Sequence, residues 1–151
     1  MPNIFFWSDQ KYSRFSNFSS SPIVIDNKLW PTVEHYFQAM KTVDLSLQED
    51  IRKSNGPKEA KKLGRKVPLR SDWEEIRYSV MLKALRVKFS DEPYRSLLID
   101  TGDSIIYEDS PFDTIWGTGI KGGVGTGMNL LGKALMQVRE EMLASVPQTL
   151  F

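Results

Sequence analysis

The sequence predicts a helix-rich α+β fold, a single domain over residues 1–151 with a small β-sheet. Three observations carry this. Several segments show apolar residues at helical spacing or helix-capping residues, whereas only a few short runs read as strands. Strand and helix do not alternate regularly, which argues against a doubly wound parallel sheet. A chain of 151 residues suits one domain and buries roughly 70% of its unfolded surface, enough for a core without staples.

Residues 3–7, containing Ile4, Phe5, Phe6 and Trp7, read as a first strand. Ile23-Val24-Ile25, Asp26-Asn27-Lys28 and Leu29-Trp30 read as strand, tight turn and strand. A helix is expected to open near Pro31 or Thr32, because proline suits a first helical position. Its Val33, Tyr36, Phe37 and Met40 recur at helical spacing and should face the core. A second helix is expected over residues 47–54, stopping at Gly56, and a third from Pro57 to about Leu63. Ser71-Asp72-Trp73-Glu74 fits a capping box, opening a helix to about Phe89 with Ile76, Val80 and Leu85 among its apolar positions. Another short helix should begin near Pro93, and Ile105-Ile106-Tyr107 should form a strand. Gly117 to Gly127 then lead into a last helix over residues 128–145.

Composition excludes several chemistries. The absence of cysteine removes disulfides, thiolate metal sites and a cysteine nucleophile. A single histidine, His35, argues against a histidine metal cluster; no metal site is evident in the sequence and no cofactor is expected. Residues 1–10 hold no basic stretch followed by an apolar run, and no segment nears the ~18 apolar residues of a membrane span. The expected location is therefore the cytoplasm, with no membrane partner. A net charge of +1 does not by itself point to a polyanion.

The segment with most chemistry is the first helix. Glu34, Gln38 and Lys41 stand at i, i+4 and i+7 and would share one face, rising about 10 Å in all. A carboxylate and an amine on one wall can do acid–base or covalent work. A solvated polar stripe accounts for the same spacing and is the commoner cause. His35, flanked by apolar residues, reads more readily as a packing residue than as a catalyst. Trp116, beside Asp113 and ahead of the glycine-rich stretch, suits stacking on a nucleobase as well as it suits a core. Six glycines between Gly117 and Gly127, Gly119 among them, offer an anion-binding nest or a plain flexible loop, without the Gly-Lys-Ser/Thr of a Walker motif. Residues 52–70 carry Arg52, Lys53, Lys58, Lys61, Lys62, Arg65, Lys66 and Arg70 against one acid, Glu59. They can hold phosphate or form an ordinary solvated surface. Arg14 is a further phosphate candidate.

Taken together, Phe15-Ser16-Asn17-Phe18, Trp30-Pro31-Thr32-Val33-Glu34-His35-Tyr36-Phe37-Gln38-Ala39-Met40-Lys41, Met81 to Phe89, Trp116-Gly117 and Asn129 to Met136 resemble the NADAR, or YbiA-like, family in order and spacing over nearly the whole chain. The resemblance implies hydrolysis of the bond between a ribose C1 and a base or amine nitrogen. Its substrates are ribosylamino-pyrimidine phosphates of riboflavin biosynthesis or ADP-ribosylated guanine. It matches the family acid to Glu34, the lysine ascribed a Schiff-base role to Lys41, and an acid and tryptophans to Asp113, Trp73 and Trp116. The candidate catalytic residues are thus Glu34, Lys41 and Asp113. The candidate substrate-binding residues are Arg14, Asn17, Gln38, Trp73, Trp116 and Gly119. The expected substrate is a small N-riboside or ADP-ribosylated nucleic acid, and the oligomeric state is open. Two other readings compete. One is a non-catalytic ADP-ribose or nucleotide-binding module. The other is a nucleic-acid-binding protein using residues 52–70, which the near-neutral charge makes the weaker.

Overall fold

The computed structural model describes residues 2–7 and 12–145. The chain forms two compact units: residues 13–88, and residues 1–12 together with 89–151. Among the described residues helix predominates, with two small sheets of two strands each.

In the unit of residues 13–88, a single 3-10 turn at Ser13–Phe15 precedes the hairpin β2 (Ile23–Ile25) and β3 (Lys28–Trp30). The turn is two residues, not three. Asp26 and Asn27 both take positive φ, 54° and 63°, the conformation of a tight I′ turn whose twist suits a hairpin, and Lys28 pairs with Ile25 inside the ladder. Ile23, Ile25 and Trp30 are buried while Val24 and Leu29 face solvent.

Helix α1 runs Val33–Ala39, with Thr32 as N-cap in an extended conformation, its side chain accepting the His35 N–H at 3.1 Å. Helix α2 (Leu45–Arg52) starts two residues before the expected position. The Asp44 carboxylate caps it, accepting from Ser46 N and Leu47 N at 2.9 and 3.1 Å. Helix α3 (Pro57–Gly64) has its proline in the first turn. Helix α4 (Trp73–Lys88) begins later than a Ser71 cap requires. The Asp72 carbonyl accepts the first helical bond, from Ile76 N at 3.1 Å, so Asp72 occupies the capping position, and its carboxylate is held by Arg70 at 2.6 Å. Helices α2, α3 and α4 all pack on α1. Every residue of α1 is buried, polar ones included.

In the other unit, β1 (Ile4–Phe6) pairs in parallel with β4 (Ile106–Glu108), Ile4 opposite Ile106 and Phe6 opposite Glu108. Helix α5 (Tyr94–Ile99) packs on α6 (Leu130–Ala144), and α6 packs on β4. The approach of α6 to β4 depends on Gly132: a Cβ there would strike the Ile106 carbonyl and the Asn129 amide. Asn129 adopts φ 52° and ψ 42° ahead of α6; its Oδ1 accepts from Glu108 N at 3.0 Å and its Nδ2 donates to Ile106 O at 2.9 Å. Arg139 on α6, largely buried, donates to Thr101 Oγ1 at 2.9 Å and Ser104 O at 2.8 Å.

Glu49 joins α2 to the hairpin. Its carboxylate accepts from Arg52 Nη2 at 2.7 Å and from Lys28 Nζ at 3.0 Å, and these donors, Arg52 first, hold it well below the usual carboxylate range, at about 2. A carboxylate depressed on folding adds stability above its unfolded value, and that addition disappears as pH falls towards the folded value. Glu49→Gln is therefore expected to flatten the fall in stability between about pH 4.5 and pH 2, read from urea midpoints across that range.

Candidate active site

Seven residues of α1 have no solvent face, so their polar side chains must find partners inside. Glu34 is 7% exposed and Gln38 3%, which overturns the solvated-stripe alternative for this helix. The two stand one turn apart, and Gln38 Nε2 donates to Glu34 Oε1 at 2.7 Å. Glu34 lies in the first turn, where the helix dipole favours an anion. Its backbone N–H, one of the orphan donors of a helix start, is taken by the Asn17 carbonyl at 3.2 Å. Asn17 itself is buried, with Nδ2 donating to Met81 Sδ at 3.5 Å and Oδ1 lacking a hydrogen-bond partner.

His35 is completely buried and fully engaged. Its Nε2 lies 3.2 Å from the Ser54 carbonyl, which can only accept, so Nε2 carries the proton. Nδ1 then accepts from the Thr32 hydroxyl at 2.8 Å. Burial pushes the imidazole below its ordinary value, against the opposing pull of the Ser54 carbonyl. These bonds make His35 a packing residue that joins α1 to the end of α2.

Lys41 does not extend the helical face. Helix α1 ends at Ala39 with Met40 as cap, and Lys41 follows in a turn, its N–H donating to Gln38 O at 3.2 Å and its carbonyl accepting from Arg70 N at 2.8 Å. Its ammonium lies 5.8 Å from the centre of the Phe37 ring, and Phe37 meets Trp73 edge-on at 5.0 Å. Trp73 is buried at the start of α4 and so serves this aromatic packing. Arg14 is exposed in the 3-10 turn. Of the basic run, Arg52 is committed to Glu49 and Arg70 to Asp72. Lys58, Lys62, Arg65 and Lys66 lie exposed on α3 and just beyond it.

In the other unit, Asp113 organises its own loop: Oδ1 accepts from Ile115 N at 2.9 Å and Trp116 N at 2.8 Å. Trp116 is half-buried, and Gly119, at φ +79°, donates to the Ser110 carbonyl at 3.0 Å. The glycine-rich stretch is tied down by Asp109, whose carboxylate accepts from Gly122 N at 2.5 Å.

Residue-by-residue reading of the sequence missed Lys88. A lysine in the last turn of a helix looks like an ordinary partner for the helix dipole. Instead Lys88 is 3% exposed and donates from Nζ to Ser16 O at 2.9 Å and Ser19 Oγ at 2.8 Å, fastening the turn that carries Asn17. Among the described residues no helix is long and apolar enough to cross a membrane.

The NADAR domain family model matches residues 5–143. The chain is 43% identical to the N-glycosidase YbiA of Escherichia coli over 91% of this chain and 86% of that protein. It is 37% identical to the chloroplastic riboflavin biosynthesis protein PYRR of Zea mays, over 90% of this chain and 24% of that one. The NMR structure of the E. coli protein YbiA superposes with a TM-score of 0.83 at 42% identity, covering 95% of this chain and 88% of that one.

Burial pushes the Lys88 amine down to about 7. Between that value and the ordinary lysine range the unfolded chain holds a proton that the folded chain has lost, so stability rises with pH across this interval. Wild-type protein should therefore gain stability from pH 7 to about pH 10, and Lys88→Met should lack that gain in a urea series at each pH.

Proposed function

The chain belongs to the NADAR domain family and is an N-glycosidase, and we propose that the bond it hydrolyses joins C1 of a ribose to the nitrogen of a base or amine. The observation that carries this reading is Glu34, a carboxylate removed from bulk water at a helix start and aimed by Gln38. Such a group can pass protons to and from a sugar oxygen and a leaving nitrogen. Lys41 follows seven residues later on the same segment.

In the proposed route the Lys41 ammonium gives up a proton that Glu34 passes to the ring oxygen as the ring opens, leaving a neutral amine and C1 doubly bonded to the base nitrogen. The neutral Lys41 amine adds to C1. The base nitrogen takes up a proton and departs with the electrons of its bond to C1, and C1 remains joined to Lys41 as an imine. Water then adds to C1, the C1–Nζ bond breaks, and the free sugar and the amine are regenerated. Asp113 orients ribose hydroxyls or shares the proton transfers, and Trp116 stacks on the base. Arg14 and the exposed cations of residues 58–66 bind phosphate. Of the two N-ribosides implied by the family, a ribosylamino-pyrimidine phosphate is favoured by the name of the maize relative. ADP-ribosylated guanine is the second.

Lys41→Ala and Glu34→Gln are each expected to lower turnover by on the order of 10²- to 10⁴-fold while the protein stays folded. The assay follows free base by mass spectrometry over a panel of N-ribosides that includes both. A ligand that survives incubation intact would mark a binding module instead. Borohydride added during turnover should leave a reduced sugar adduct on Lys41, and its absence would rule out the imine. Asp113→Asn keeps the oxygen that accepts from Ile115 and Trp116. A loss of roughly tenfold or more in that variant therefore reports the missing charge, not a broken loop.

A further inference from the structure

Gly64 is the last residue of α3, in ordinary helical backbone, where glycine is a poorer choice than alanine. Its neighbour across the α1–α3 contact explains it. A Cβ at position 64 would lie 2.8 Å from Gln38 Cδ and 2.9 Å from Gln38 Cβ, and closer still to Gln38 Oε1. That oxygen is buried and has no hydrogen-bond partner. The amide cannot turn over to find one, because its donor end is committed to the Glu34 carboxylate at 2.7 Å and an oxygen placed there would face like charge. Oε1 is accommodated only in the space left by the missing side chain of Gly64.

We propose that Gly64 is a positioning residue: the gap at its Cα holds the Gln38 amide in the single orientation that donates to Glu34, and so sets where that carboxylate points. Gln38 in turn acts as a strut between α3 and Glu34, not as a contact to substrate. The consequence for turnover rests on Glu34 being the proton-transfer group; the contact among Gly64, Gln38 and Glu34 does not.

The test is Gly64→Ala in the full chain, alone and combined with Gln38→Gly, which removes the Oε1, Cδ and Cβ that the new methyl group would strike. Three readouts are taken: the Gln38 side-chain amide resonances, the Glu34 carboxyl carbon resonance, and kcat and KM on the N-riboside turned over by wild type. Gly64→Ala should move both resonances and lower kcat by about tenfold or more, with KM changed by less than about threefold. In the Gln38→Gly background it should cost nothing further. The shortest collision is with the end of a flexible side chain, and the 2.9 Å approach to Gln38 Cβ is only a few tenths of an ångström too close, so a small shift of α3 should let the single variant fold. Should it not, wild type and Gln38→Gly suffice: removing the Gln38 side chain should shift the Gly64 Hα resonances and the Glu34 carboxyl carbon together. Unmoved resonances, or an equal loss in both backgrounds, would overturn the proposal. If the resonances move while Glu34→Gln keeps full turnover, the strut stands and the chemistry assigned to Glu34 falls.

Discussion

One constraint governs the unit of residues 13–88: a seven-residue helix is enclosed on every side and still carries a carboxylate, an amide and an imidazole. Leaving any of these unpartnered in a dry interior costs more than an ordinary hydrogen bond returns. The surroundings of α1 are arranged accordingly. Thr32 both caps the helix and satisfies the imidazole, Ser54 receives the other ring nitrogen, the Asn17 carbonyl takes the Glu34 N–H, and Gln38 takes the carboxylate. Helix α1 is also short. The chain leaves it at Met40, and the Arg70–Lys41 backbone bond pins the exit.

For chemistry, the exit matters as much as the helix. An amine on a turn beyond the helix end is not bound to the helical repeat of the acid before it. Its approach is set by the Phe37 ring below it and by the pinned backbone beneath. The carboxylate is held by Gln38 and the lysine stem is the longer, more adaptable arm, a division suited to the proposed route, in which one group moves protons at a fixed point and the other follows a carbon atom.

The order of helices and strands was legible because capping residues, proline positions and apolar spacing act locally. Thr32, Pro57 and the Asp-Asn turn each specify their own few residues. Boundaries slipped where a neighbour intervened: Asp44 started α2 early, and Asp72 displaced Ser71 as the cap of α4. At the site, Glu34 and Gln38 were legible as a pair, since four residues make one turn, but not as a buried pair, since burial comes from three other helices. Helical spacing also overextended to Lys41, because nothing in residues 33–41 announces an end at Ala39. Lys88 and Gly64 carried no local signal at all: one is defined by a turn some seventy residues away in sequence, the other by a side chain on a different helix.

Asn129 has a consequence for the margin of the β1–β4 pair. Strand β4 has β1 on one side, and its other side would leave the Ile106 carbonyl and the Glu108 N–H without partners. A single side-chain amide meets both, donor to acceptor and acceptor to donor, as a peptide unit of a third strand would. The outer side of β4 is thereby closed off by an imitation of backbone. That stretch of edge offers no free template on which another extended chain can add, a protection that larger sheets achieve with charge, proline or a covering helix.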